Sequence, residues 1–147
     1  MVVTTADQHL NCKIAGVAFD IALKMGGKVC LLNVVPSTTE GARLAVPGPM
    51  MTAVPLVVTD EAQSIENCQD QLEKLKTACG SSVKTEIEVR NGQIEESIIT
   101  YADKFEADLI IVGSPNRSWL EALLNTSVAR QVTRSALCPV LVVPEQA

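Results

Sequence analysis

Aromatic side chains are scarce in this chain: of 147 residues, one is Trp, one is Tyr and two are Phe. A core must therefore be assembled from Val, Ile, Leu and Ala, which fill space by close packing of small branched side chains. Positive charge is also short. Twelve Lys and Arg face seventeen Asp and Glu, a formal net charge of −5. That field repels phosphate and anionic lipid, so non-specific binding to nucleic acid or to a membrane surface is not expected. A nucleotide held locally remains compatible with it. No apolar run approaches the roughly 18 residues of a membrane-spanning helix. The segment from Met1 to Asp7 lacks the basic and apolar regions of a signal peptide, and the cytoplasm is the expected compartment.

Cys12, Cys30, Cys68, Cys79 and Cys138 are odd in number and scattered, without a CxxC pair. Neither a disulfide framework nor a zinc site follows from that spacing. The one histidine, His9, has no readable partner to orient it as a general base, and it reads as a solvated loop residue. Walker, GxGxxG, HxGH and SGGxDS motifs are missing, so a catalyst of nucleotide chemistry is not expected. A phospho-acceptor receiver domain needs clustered acids after the first strand, an Asp after the third and a Lys after the fifth. This chain offers Asp7, then Arg90-Asn91, and no Lys near its last strand.

With 47% hydrophobic and 20% charged residues the balance is that of an ordinary globular protein, and residues 1–147 are read as one domain. Strand and helix patterns alternate along it. Residues 2–6 are short and β-prone. From about 11 to 25, Ile14, Val17, Ala18, Ile21, Ala22 and Met25 recur at helical spacing, until Gly26-Gly27 stops the run. Residues 28–35 are almost continuously apolar, as in a strand buried on both faces. Residues 36–59 contain four prolines and read as a long connection, either a lid or a mobile surface loop.

A second helix follows, with Ile65, Cys68, Leu72, Leu75 and Cys79 on one stripe. Residues 83–89 alternate as a strand with one wetter face, and Asn91-Gly92 reads as a turn. Ile94, Ile98, Tyr101, Ala102 and Phe105 mark a third helix. Residues 107–112 form another buried strand, ending at Gly113. A last helical stretch, in one piece or two, carries Leu120, Leu123, Leu124, Val128 and Val132, and residues 139–143 form the final strand. Five strands joined by helical crossovers give an α/β fold, a doubly wound parallel sheet with helices on both faces.

Ligands of such sheets sit beyond the carboxyl ends of the strands, where strand order reverses. Asp7 to His9, Asn33 to Val35 and Gly113 to Asn116 all fall there. So does 125–127, at the start of the last helix, where Asn125, Thr126 and Ser127 are good caps and the open amides attract anions. Arg117 and Arg130 add positive charge for a phosphate. The plainer alternative is a capped helix with two solvated arginines. Asp7 fits either a ribose or metal contact or a turn at a strand end. Cys12, in the first turn of its helix, is either a thiol of lowered pKa or a small, partly buried residue. Cys138 reads as packing, and Trp119 as pinning its segment to the core.

The stretch ADLIIVGSPNRSWLEALLNTSVARQVTRSALCPVLVV, residues 107–143, resembles the signature of the universal stress protein family. That signature runs from an acidic-Leu-Ile-Val-x-Gly strand through Gly-x2-Gly-x9-Gly-Ser/Thr to Cys-Pro-Val-Leu-Val-Val. Asp7 matches the Asp of the family's first turn, Cys12 stands where Ser is common, and Arg90-Asn91-Gly92 resembles the turn into its third helix. The resemblance spans essentially the whole chain. It implies a Rossmann-like sheet of order 3-2-1-4-5, a role in stress response, and a homodimer formed through the C-terminal strand. It also implies ATP binding, with adenine near Asp7 and Val34 and phosphates over the glycine turn, Ser127 and Val128.

The chain keeps Gly113 but has Asn116 and Thr126 where the family has its second and third glycines. Glycine serves there because backbone approaches phosphate closely or adopts positive φ. Asn tolerates the left-handed region, β-branched Thr does not, and Pro115 removes an amide donor. The expectation is a regulatory module with a degenerate nucleotide site at Asp7, Val34, Gly113, Asn116, Arg117, Thr126, Ser127, Val128 and Arg130. It binds ATP or another adenine nucleotide weakly or not at all; the alternative is an ATP-binding switch.

Overall fold

The computed structural model describes residues 2–4, 8–35, 61–79, 82–114 and 128–144. Five strands, β1 (Val2–Thr4), β2 (Val29–Val35), β3 (Thr85–Asn91), β4 (Ile110–Ser114) and β5 (Val140–Pro144), alternate with four helices. These are α1 (Gln8–Met25), α2 (Glu61–Cys79), α3 (Ile94–Lys104) and α4 (Val128–Ser135). All strand pairs are parallel, and the sheet runs β3-β2-β1-β4-β5. Both ends of the chain therefore enter one sheet. Its centre is β1, with Val2 opposite Cys30 on one side and Ile110 on the other.

Side chains on a strand alternate between faces, and β2 shows why it carries no polar residue before Asn33. Val29 and Leu31 join one buried cluster with Ile14, Ala18, Ala22, Leu72 and Leu75, from α1 and α2. Cys30 and Leu32 join the opposite cluster with Ile98, Tyr101, Ala102 and Val132, from α3 and α4. The same alternation places Ile111 with the first cluster and Ile110 and Val112 with the second. The sheet is thus covered on both faces, as the near-continuous apolar runs led us to expect.

Several boundaries differ from the pattern reading, each for a local reason. The strand expected over 107–112 begins at Ile110, because α3 uses the preceding residues for its own ending. The Ala107 amide donates to the Ala102 carbonyl at 2.9 Å, and Glu106 turns with φ 53. The strand expected over 83–89 runs over Thr85–Asn91: Asn91 is still paired with Val35, and the turn tightens only at Gly92. Helix α1 starts at Gln8, so His9 belongs to a helix and not to a loop. Cys12 consequently lies past the first turn and is exposed, not partly buried.

The apolar stripe of α1 also rotates. Ile14, Ala15, Ala18, Phe19 and Ala22 are buried, whereas Met25, expected on that stripe, is 79% exposed. Met25 is the last residue of the helix, and Gly26 ends it in the left-handed region at φ 64. The Gly27 amide then returns to the Ala22 carbonyl at 2.8 Å. The connection 36–59, Trp119 and the leucines of 120–124 lie outside the described residues.

Candidate functional site

In this topology the strand order reverses between β1 and β4. Beyond their carboxyl ends lies the crevice where open parallel sheets take ligands. Val34 stands on one side of it, two residues past Leu32, the partner of Thr4. Gly113 stands on the other, two residues past Ile111, the partner of Val3. With strands about 4.8 Å apart, two spacings put these positions roughly 10 Å from each other. Val34 packs against the α3–α4 cluster, so the strand end it occupies is held firmly. Gly113 brings no side chain to the rim, which leaves backbone open to a close neighbour.

Val128 and Arg130 come from the first turn of α4. Val128 packs on the same cluster as Val34, and Arg130 is half-buried. Arg130 and Arg134, one turn apart, line a cavity of about 430 Å³ with Gln131, Ser135 and Glu95 of α3. The Ser135 hydroxyl donates to Glu95 at 2.7 Å, closing one end of that cavity. Asp7, Asn116, Arg117, Thr126 and Ser127 lie outside the described residues. Of the expected set, then, Val34, Gly113, Val128 and Arg130 are described, at the carboxyl end of the sheet and the start of α4.

The turn that follows β3 is anchored to this rim. The Gly92 amide donates to the Val35 carbonyl at 3.1 Å, and Gly92 has φ 141, with Ser97 Oγ 3.4 Å from where a Cβ would sit. Beneath it, the α3 side of β3 is charged. Arg90 Nε contacts Glu88 at 3.2 Å, and its guanidinium lies 4.8 Å from the Tyr101 ring centre. Tyr101 stacks on Phe105 at 5.9 Å, and Lys28 lies 4.3 Å from the Phe105 ring.

The Tyr101 hydroxyl and the Cys30 thiol share one buried cluster and act on each other. Burial pushes the Cys30 thiol up to about 11, with the carboxylates of Glu86 and Glu88 adding to it and the Tyr101 hydroxyl opposing. Burial, then the Cys30 contact, pushes the Tyr101 hydroxyl up as well. This array was missed in the sequence, although the alternation of Glu86, Glu88 and Arg90 along one face was the available signal. Among the described residues no group of three His, Cys, Asp or Glu is placed to hold a metal ion. No described helix is long and apolar enough to cross a membrane.

Comparison with known proteins bears on this geometry. The chain is 39% identical over 79 residues to universal stress protein MJ0531 of Methanocaldococcus jannaschii, a stretch covering 53% of this chain and 46% of that one. It is 27% identical over 111 residues to the stress response protein NhaX of Bacillus subtilis, 73% of this chain and 64% of that one. The match thus spans under two thirds of either relative. A solved universal stress protein in complex with cAMP superposes with a TM-score of 0.65 at 18% identity, covering 99% of this chain and 98% of that one. One from Archaeoglobus fulgidus in complex with dAMP gives 0.57 at 17%, covering 96% and 94%. At these identities the structures attest the fold alone. The profile of the universal stress protein family matches residues 1–144, and the chain belongs to that family.

Proposed function

We propose that residues 1–147 act as one regulatory domain of the stress response that binds adenine nucleotides weakly, without catalysing their turnover. One observation carries the reading. The chain retains Gly113 at the carboxyl end of β4, but has Asn116 and Thr126 at the spacing where the family signature has glycine. The nucleoside end of such a ligand would lie between the Val34 strand end and the bare Gly113 rim, on either side of β1. The phosphate end would lack two of the family's glycines, with Ser127, Val128 and Arg130 left to supply donors and charge. The solved relatives named with cAMP and dAMP support an adenine nucleotide as the ligand class.

The second reading, an ATP-responsive switch, is favoured by the two arginines that line the cavity between α3 and α4. Mass spectrometry of the purified, denatured protein separates them. Release of stoichiometric nucleotide would establish the switch, and protein free of nucleotide supports the weak site. In either case we place the chain in the cytoplasm as a homodimer formed through β5, with no nucleic-acid or membrane partner. Its net charge of −5 and the uncharged β5 edge support this.

A further inference from the structure

The amino-terminal ends of the strands form a floor, opposite the crevice, and its charges are sorted by topology. Lys28 precedes β2 and Lys84 precedes β3, on one half of the sheet; Glu106 and Asp108 precede β4, on the other half. Between the two halves runs a groove of about 760 Å³, bounded by these four residues and by apolar side chains of α1 and the β4 approach. Lys84, Glu106 and Asp108 have no ion-pair partner among the described residues, and Lys28 has a half-exposed contact to Glu86 at 3.5 Å beside its approach to the Phe105 ring.

Met25 lines the groove 79% exposed, with Ile21, Phe105, Leu109 and Pro139. A lone exposed apolar side chain needs no explanation, but one standing over an apolar groove marks a contact surface. A surface with a basic half, an acidic half and an apolar middle is its own complement under a twofold rotation. Lysines of one copy then meet carboxylates of the other, twice. The Met25 of each copy, a protruding unbranched side chain suited to irregular gaps, meets the other's groove. We propose that this floor is a self-association surface whose occupant is the same floor of a second copy, independent of β5 and of any nucleotide.

The test uses the full chain carrying Leu141→Lys, which charges the β5 edge so that remaining association reports on the floor. Sedimentation velocity up to roughly 0.5 mM, a range that populates even weak pairs, should show a monomer–dimer equilibrium weakened by salt. Met25→Gln, which keeps length and helix propensity, should weaken it at least tenfold. Lys84→Glu and Asp108→Lys should each weaken it about tenfold alone. Mixed one to one, the two reversed chains should associate again, because each contact then pairs opposite charges. Recovery on mixing requires folded chains, so misfolding cannot imitate it. A chain that stays monomeric throughout, association indifferent to Met25→Gln, or reversed chains that fail to recover on mixing would each overturn the proposal.

Discussion

The Tyr101 hydroxyl of α3 and the Cys30 thiol of β2 meet in one buried cluster, bringing helix and sheet together through two groups that the fold keeps neutral. Both acids have their proton affinity raised mainly by burial, so the folded state holds its protons at a pH where the unfolded chain has lost them. For Cys30 the interval runs from its ordinary 9.0 to about 11. Stability from keeping the Cys30 thiol buried and neutral is complete below pH 9 and is lost as the pH rises through that interval, by up to about 3 kcal/mol. Thermal melts should therefore fall between about pH 8 and 11, and Cys30→Ala should flatten the fall. Equal slopes in both proteins would assign the loss to other groups.

The proposed nucleotide site makes a prediction in the opposite direction from ordinary mutagenesis. Replacing Asn116 and Thr126 together by Gly should raise ATP affinity at least tenfold by calorimetry. One or two charge-assisted contacts at about 1.5–3 kcal/mol each would then be regained. Tight binding by the unsubstituted chain would show instead that Arg117 and Arg130 replace the lost amides. An unchanged double variant would implicate Pro115.

At the sheet edges, β3 and β5 differ. The β3 edge carries Glu86, Glu88 and Arg90, which discourage strand pairing, whereas β5 offers Val140, Leu141 and Val142 without charge. Leu141 is the sounder probe, because it is 36% exposed while Val142 packs on the α3–α4 cluster. Leu141→Lys should abolish the proposed β5 dimer in light scattering with little change in melting temperature. A dimer that survives the substitution at moderate concentration and high salt would place the principal contact elsewhere.

Leu31 and Leu32 are fully buried on opposite faces of β2, in separate clusters. Either one replaced by Ala should cost about 2–5 kcal/mol in denaturant unfolding. The two losses should add, because the sheet separates the cavities. Strong non-additivity would mean that the two layers relax together.

Helix and strand types were readable because burial leaves a periodic trace in sequence. Ile14, Ala18 and Ala22 repeat at helical spacing, and the run 28–35 has no polar face because both faces of β2 are covered. Asn116 and Thr126 were legible for the same reason that a glycine signature exists: backbone conformation restricts residue type at single positions. Strand limits were less legible. Ala107 fits a strand by composition, but its amide is taken by the end of α3.

What the sequence by itself determined is therefore local: which segments are helices or strands, that the sheet is parallel and covered, and that Asn116 and Thr126 stand at the spacing of the family's glycines. Which neighbours meet was decided by tertiary structure. Met25 continues the apolar stripe of α1 in sequence, yet at the last residue of the helix it is exposed. Lys28 and Lys84 are 56 residues apart, and so are not visibly a pair, until β2 and β3 lie side by side. Cys30 and Tyr101 each read as ordinary apolar positions. Only the packing of α3 across β2 removes both from water and turns them into a coupled, pH-dependent contact. Periodicity reports burial along one segment, whereas charge sorting and polar pairing depend on distances between segments that no local pattern carries.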